Sequence, residues 1–335
     1  VKPAGRCADG ARFEETACAG ETHCSDVVAF SAGTCVDVRD QGPFGVGAQV
    51  ITYTKPSAVD PMQTRTLDTV IWYPTSPGAG PISSQYKAVL DAPLDNAGGP
   101  YPVLLFSHGS CGYPLQSTFL LPLIASYGFI VAAPPHPGNT ILEFPSCGSG
   151  QAQASSFIER PKDMSFVLDQ LIAANADAGS PFFGAVDATR VGMSGHSFGG
   201  LTTYYVAAAD PRVKAAIPMA AAVVGNPALT VPSLTMLGAI DSVVNDPAIR
   251  SLYVASDSPK FKVEIEHAGH YAFSDGCFPS ADCNPPTTLT QPEAHDAVLR
   301  WVLPFLEAYL VGDAGFAPFL VPAGAPPGVL FDAQP

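Results

Sequence analysis

One serine in this chain is prepared for chemistry by its neighbours. Gly195-His196-Ser197-Phe198-Gly199-Gly200 follows a short apolar run, residues 190–194, and precedes a helix-compatible run, residues 201–209. Between a strand and a helix, G-x-S-x-G makes a sharp turn that lifts the serine hydroxyl clear of a sheet. Such a turn needs strained backbone angles, so small residues must flank it. Gly195 and Gly199 supply them, and Gly200 lets the helix pack close. The chemistry would be attack on a carbonyl carbon. A serine hydroxyl is a poor nucleophile at neutral pH, so it needs a base to take its proton and a third group to orient that base.

In a strand–turn–helix setting the partners follow in the order serine, acid, histidine, after later strands. A predicted strand at residues 233–238 leads into Ala239-Ile240-Asp241, and Asp241 is the best-placed acid. Asp246 precedes Pro247 and reads better as a helix cap, and Asp257 lies farther on. Of the seven histidines, His267 and His270 directly follow the last predicted strand, residues 261–266. Either could act as base; Gly269 lets the loop turn inward and favours His270. His23 belongs to a Cys-rich segment, His108 and His136 to loops after early strands, and His295 to a closing helix. His196 holds the variable position of the serine turn, where its side chain is expected to point away from the serine's partner. The oxyanion of a tetrahedral intermediate needs two backbone N–H donors. The turn offers Phe198, and the Ser107-His108-Gly109-Ser110 loop offers Ser110. Tyr113, Phe198 and Tyr271 are candidates to line the acyl or aromatic pocket.

The elements that must hold these residues alternate along the chain. Strands are predicted at 49–53, 69–73, 103–107, 129–133, 190–194 and 214–219, besides the two named above. Helices are predicted at 117–127 and 201–209, over 162–174 with Pro161 in its first turn, and over 293–310. This alternation implies a mostly parallel sheet covered by helices on both faces. Residues 1–40 are polar, Cys-rich and without regular period, and are expected to be a disulfide-stapled extension, serving either to dock or to cover. Residues 41–311 form the main domain. Residues 312–335, rich in Pro, Gly and Ala, are expected to pack on the surface as irregular chain.

Composition excludes several classes. The chain of 335 residues is 47% hydrophobic and 14% charged, with a net charge of −14. That suits a folded globular protein and offers no basic stripe for nucleic acid. No apolar run is long enough to span a membrane. The eight cysteines, Cys7, Cys18, Cys24, Cys35, Cys111, Cys147, Cys277 and Cys283, include no C-x-x-C pair. Zinc and thioredoxin-like chemistry therefore lack their usual spacing, no metal or cofactor is expected, and disulfides in an oxidising compartment fit better. Pairing Cys277 with Cys283 could staple the loop after His270, and Cys111 with Cys147 could tie two loops near Ser110. A start at Val1 without a charged-then-apolar leader reads as the mature form of a secreted or periplasmic protein. A monomer is expected.

The motifs also occur together in a recognisable order. Trp72-Tyr73-Pro74, Phe106-Ser107-His108-Gly109, Ala133-Pro134-Pro135-His136-Pro137-Gly138-Asn139, Arg160-Pro161-Lys162-Asp163, Gly195-His196-Ser197-Phe198-Gly199-Gly200 and Ala268-Gly269-His270 run in that order. Over about residues 45–310 they resemble the predicted dienelactone-hydrolase and platelet-activating-factor acetylhydrolase-like group of α/β-hydrolases. The resemblance implies that fold without a large cap, and carboxylic-ester hydrolysis through an acyl-enzyme. It also implies Ser197, Asp241 and His270 as triad, with the amides of Ser110 and Phe198 as oxyanion hole. True dienelactone hydrolases carry a cysteine nucleophile, so a serine at position 197 favours simple esters over lactones. Where lipases insert a cap, only residues 220–232 intervene here. An open cleft is expected, as in cutinases and cutinase-like polyester hydrolases, suited to short-chain or polymeric esters. One alternative is a phospholipase A2-type acetylhydrolase acting on short or oxidised acyl chains. Another is a non-catalytic binding protein on a hydrolase fold, against which stands the presence of all three triad candidates in order.

Overall fold

Apolar runs of the sequence become strands whose successive side chains enter two separate cores. In the computed structural model, which describes residues 22–24, 35–244, 246–277, 288–322, 325 and 327–335, twelve strands and five α-helices follow one another. The strands are β1 (Thr22–Cys24), β2 (Cys35–Asp37), β3 (Gly45–Pro56), β4 (Thr64–Thr75), β5 (Val89–Leu90), β6 (Tyr101–Ser107), β7 (Ile130–Ala133), β8 (Val186–His196), β9 (Val213–Met219), β10 (Ser233–Gly238), β11 (Lys260–Ile265) and β12 (Val329–Gln334). The helices are α1 (Leu121–Ser126), α2 (Gly150–Ala176), α3 (Phe198–Ala209), α4 (Asp246–Ala255) and α5 (Gln291–Leu306).

Ten strands form one sheet in the order β12-β11-β10-β9-β8-β6-β7-β4-β3-β5. Its centre, from β7 through β6, β8, β9 and β10 to β11, is parallel. Strands β4 and β12 pair antiparallel at its two sides. Strand β6 is buried at every position, and its side chains alternate between faces. Leu104 and Phe106 join a core with Leu121 and Ile124 of α1 and Val298 and Trp301 of α5. Val103 and Leu105 join a second core with Met164, Val167 and Leu168 of α2 and Tyr204 and Val206 of α3. This is the doubly covered, mostly parallel sheet expected from the alternation of elements.

Three expectations need correction. The tail is not irregular to its end: β12 pairs along the whole of β11, and Phe316 is fully buried in the first core. The helix around Pro161 begins eleven residues earlier, after an N-cap at Ser149 whose side chain accepts from the Ala152 amide, so Pro161 lies inside it. Its early turns carry no apolar period because their buried face is polar: Ser156, Glu159, Arg160 and Asp163. The helix expected over 117–127 keeps only Leu121–Ser126, since Asp275 holds the amides of Thr118 and Phe119 in a turn. Of the Cys-rich extension, the short antiparallel pair β1–β2 is described. Cys7 and Cys18 lie outside the described residues.

Candidate active site

Four loops at the carboxyl ends of β6, β8, β10 and β11 carry the predicted residues to one edge of the sheet, the edge where such sheets present their chemistry. Ser197 sits between β8 and α3 with φ 57° and ψ −117°, a strained conformation for a residue with a side chain. Backbone bonds hold it there: its N–H donates to the Met219 carbonyl at 2.9 Å, and its carbonyl accepts from Ala222 at 3.0 Å and Leu201 at 3.1 Å. The turn closes only with glycine, since a Cβ on Gly199 would overlap the Ser107 carbonyl oxygen and one on Gly195 the Gly199 carbonyl.

Asp241 follows β10 and His270 follows β11. The His270 Nδ1–H donates to Asp241 Oδ2 at 2.8 Å, and both side chains are buried. The other carboxylate oxygen accepts from the amides of Val243 at 2.8 Å and Val244 at 3.0 Å. Among the described residues, His270 Nε2 is left without a hydrogen-bond partner. His267 is exposed beside it, while Asp246 lies in the first turn of α4.

The loop after β6 lies against the serine turn, because a Cβ on Gly109 would stand 3.4 Å from the Ser197 Cβ. Among the described residues, the amides of Ser110 and Phe198 have no hydrogen-bond acceptor. Phe198 opens α3, where helix geometry leaves an N–H without an internal partner. The loop is secured by the Cys111–Cys147 disulfide, with Cα atoms 5.4 Å apart. It is also tied by bonds from Cys111 N–H to the Asn139 carbonyl at 3.1 Å and from Ile141 N–H to the Gly112 carbonyl at 3.0 Å. Cys277 is also disulfide-bonded; Cys283 lies outside the described residues. Of the pocket candidates, Tyr113 is exposed and Tyr271 half-buried. The Phe198 ring is buried and stands 4.8 Å from the Arg160 guanidinium.

His196 does not point away from His270. Its ring lies 4.6 Å from that of His270 and its Nε2–H donates to the His270 carbonyl at 2.8 Å. Its Nδ1 accepts from Gln116 Nε2 at 2.9 Å, and Gln116 Oε1 accepts from the Gly109 amide at 2.8 Å. Complete burial, then the His270 ring, push the His196 pKa well below its ordinary value, which suits a neutral ring that accepts at one nitrogen and donates at the other. Gln116 thus joins the Gly109–Ser110 loop, through His196, to the loop of His270. Nothing in its sequence context marks it beyond its place nine residues after Ser107.

A second polar cluster lies behind the loop after β6. Ser107 O–H donates to His136 Nε2 at 2.9 Å, and His136 Nδ1–H donates to Asp163 at 3.1 Å. Arg65 forks onto both oxygens of Asp163 at 3.0 and 2.6 Å, Lys55 stands 3.1 Å from it, and Glu159 bonds to Lys55 and Ser57. Arg160, fully buried, donates to the carbonyls of His108 and Gly109 and to Asn139 Oδ1. Burial above all, and then nearby cations, push the pKa values of His108 and His136 well below the ordinary histidine range. The sequence signal was the Glu159-Arg160…Asp163 spacing on one helical face, which a search for apolar stripes passes over. Among the described residues there is no His/Cys/Asp/Glu group able to hold a metal ion, and no helix is long and apolar enough to cross a membrane.

The family model described as PET hydrolase-like matches residues 93–279, more than half of the chain and all four site loops. The chain belongs to the PET hydrolase-like family. Within the curated relatives of this family member, cutinase est1 of Thermobifida alba is 28% identical over 179 residues, 51% of this chain and 54% of the relative. Cutinase 2 of Thermobifida cellulosilytica is 31% identical over 119 residues, 36% of this chain and 39% of the relative. The chain spans about half the length of the first of these. A ferulic acid esterase structure from Streptomyces cinnamoneus matches with a TM-score of 0.70 at 24% identity, covering 86% of this chain and 96% of that one. That likeness shows the α/β-hydrolase fold. The expected cutinase-like character is the part these relatives share, and the dienelactone-hydrolase and acetylhydrolase grouping is compatible with it.

Proposed function

We propose that this protein is a secreted serine carboxylic-ester hydrolase that works through an acyl-enzyme, with an open site suited to short-chain and polymeric esters. The observation that carries the reading is the convergence of strained Ser197, the His270–Asp241 pair and two unspent amides at one sheet edge. His270 Nε2 takes the proton as Ser197 Oγ attacks the ester carbonyl, and Asp241 holds the ring and stabilises the imidazolium. The Ser110 and Phe198 amides receive the oxyanion. Collapse of the tetrahedral intermediate expels the alcohol, protonated by His270; water, deprotonated by the same ring, then releases the acid.

Three features support a bulky or polymeric ester. The connection from β9 to β10 contains no helix, so nothing comparable to a cap is inserted there. Tyr113 and Ile240, after β6 and β10, are exposed apolar side chains, as are Leu142 and Phe144 on the loop that the disulfide ties to the β6 loop. The relatives named above are cutinases. The Cys111–Cys147 disulfide supports an oxidising, extracellular setting.

The test is turnover of p-nitrophenyl butyrate and of amorphous polyester film by the wild type and by Ser197→Ala. Hydrolysis of both by the wild type and of neither by the variant is expected. Film left intact while the soluble ester is cleaved removes the polymer from the reading; an active Ser197→Ala removes the serine mechanism.

A further inference from the structure

Arg160 reaches both proposed oxyanion donors from behind. Its Nη1 donates to the His108 carbonyl and its Nη2 to the Gly109 carbonyl at 3.0 Å, so the planar fork spans two successive peptides, which a lysine could not do. The Gly109 carbonyl also accepts from His108 Nδ1–H at 2.7 Å and from the Gly112 amide at 3.1 Å. The tautomer of His108 follows from its other nitrogen, which accepts from the His136 amide at 3.2 Å. Three donors, one of them cationic, therefore converge on a single buried carbonyl.

That carbonyl belongs to the peptide whose N–H is that of Ser110. A trans peptide is planar, so fixing the carbonyl inward turns the Ser110 N–H to the opposite side. Hydrogen bonds to the carbonyl also polarise the shared amide and strengthen it as a donor. The same guanidinium lies 4.8 Å from the centre of the Phe198 ring, and Phe198 carries the other donor amide. Asn139 closes the arrangement: its Oδ1 accepts from Arg160, and its Nδ2 donates to Ser110 Oγ at 3.0 Å and to the Cys147 carbonyl at 2.6 Å.

We infer that Arg160 is a positioning residue for the oxyanion hole, setting the Gly109–Ser110 peptide and steadying Phe198 at once. The inference rests on the ester-hydrolase reading above for its catalytic consequence, though not for its geometry. Arg160 touches no substrate; it acts through the two amides.

Three variants, Arg160→Met, Arg160→Lys and His108→Asn, test it against the wild type in p-nitrophenyl butyrate kinetics. Arg160→Met lowers kcat about 10²-fold with KM within about threefold, as expected for donors that matter only in the transition state. Arg160→Lys recovers part of that loss. His108→Asn removes one neutral donor from the same carbonyl, lowers kcat about tenfold, and serves as the deciding variant if Arg160→Met does not fold. A readout independent of turnover is the Ser110 amide resonance, selected by carbonyl-labelled glycine with ¹⁵N-serine and assigned through its loss in Ser110→Ala. It moves upfield in Arg160→Lys and His108→Asn. Folded Arg160→Lys and His108→Asn with wild-type kcat and an unmoved resonance overturn the inference; a merely structural role predicts that result together with a lower melting temperature. A wild type inactive on every ester overturns the ester-hydrolase reading, and the resonance still decides whether Arg160 sets the peptide.

Discussion

The described residues contain two Ser–His–Asp sets, separated by little more than the loop after β6. In one, His270 bonds to Asp241; in the other, Ser107 bonds to His136 and His136 to Asp163. On hydrogen bonds alone the second is the more complete. Their surroundings are opposite. Ser107, His136 and Asp163 are fully buried, and Arg160, Arg65 and Lys55 all disfavour a proton on His136 after burial itself. A base that must become imidazolium cannot work there. Among the described residues, Asp241 has no Lys or Arg partner, so its charge is available to His270. Ser197 is half-exposed on a strained turn, whereas Ser107 ends an ordinary strand. Access and the sign of the local field, rather than the triad pattern, separate the proposed catalytic set from a structural one.

The widest separation is expected at the serines. Ser197→Ala lowers kcat on p-nitrophenyl butyrate by about 10⁵- to 10⁶-fold with an unchanged melting temperature. Ser107→Ala leaves kcat within about threefold and costs about 1–2 kcal/mol of stability, from the buried bond lost to His136. A large kinetic loss in folded Ser107→Ala would break the comparison. The acids come next and should respond in opposite currencies. Asp241→Asn forfeits the orientation of His270 and lowers kcat about 10⁴-fold with little change in melting. Asp163→Asn leaves Arg65 and Lys55 facing a neutral side chain in the interior and costs about 3–5 kcal/mol by denaturant titration.

A third buried acid sharpens the point about charge. Glu307, just past α5, is 1% exposed, and among the described residues its Oε1 has no hydrogen-bond partner. Burial chiefly, with Asp313 adding and Arg190 opposing, raises its pKa from the ordinary 4.5 to about 8. Glu159, equally out of solvent but bonded to Ser57 and the Val59 amide and facing Arg65, is held below the ordinary value against the cost of burial. For Glu307 the folded chain binds the proton more tightly than the unfolded one. Stability is therefore full below about pH 4.5, falls by about 1.4 kcal/mol per unit as pH rises toward about 8, and levels off beyond. Glu307→Gln should remove that slope, melting above the wild type at pH 9 and close to it at pH 4. Parallel pH profiles for the two proteins would show that Glu307 carries no shifted proton.

Much of this architecture was legible in the chain. The apolar runs that became β6, β9 and β10, the glycines of the serine turn, and the positions of Asp241 and His270 after successive strands follow from periodicity and local sterics. The polar interior was not legible. Glu159 and Arg160 fell outside the predicted helix, because charged residues carry no apolar period and are mostly solvated, and the partners Lys55, Arg65 and His136 come from 27 to 108 residues away. The role of His196 was misread for a related reason: its contact is with a backbone carbonyl, which every residue has and no motif displays.

Gly109 is where the two sets meet, and it carries the smallest effect expected here. Its carbonyl faces Arg160 and the buried set, while its amide donates to Gln116, which continues through His196 to the carbonyl of His270. If the Ser197 set depends on the buried one for the direction of the Ser110 amide, it depends on Gln116 for the distance between that amide and His270. Gln116→Leu keeps the volume but leaves the Gly109 amide and His196 Nδ1 without partners, at a cost of about 1–3 kcal/mol in stability. Its kcat should fall only about five- to tenfold, because Arg160 still holds the carbonyl side of the loop. Paired with Arg160→Lys, the double variant should lose more than the product of the two single losses, since each residue restrains the same peptide from the opposite side. Strict additivity in kcat would mean that the loop is held at two independent points, and that the two sets are neighbours without being coupled.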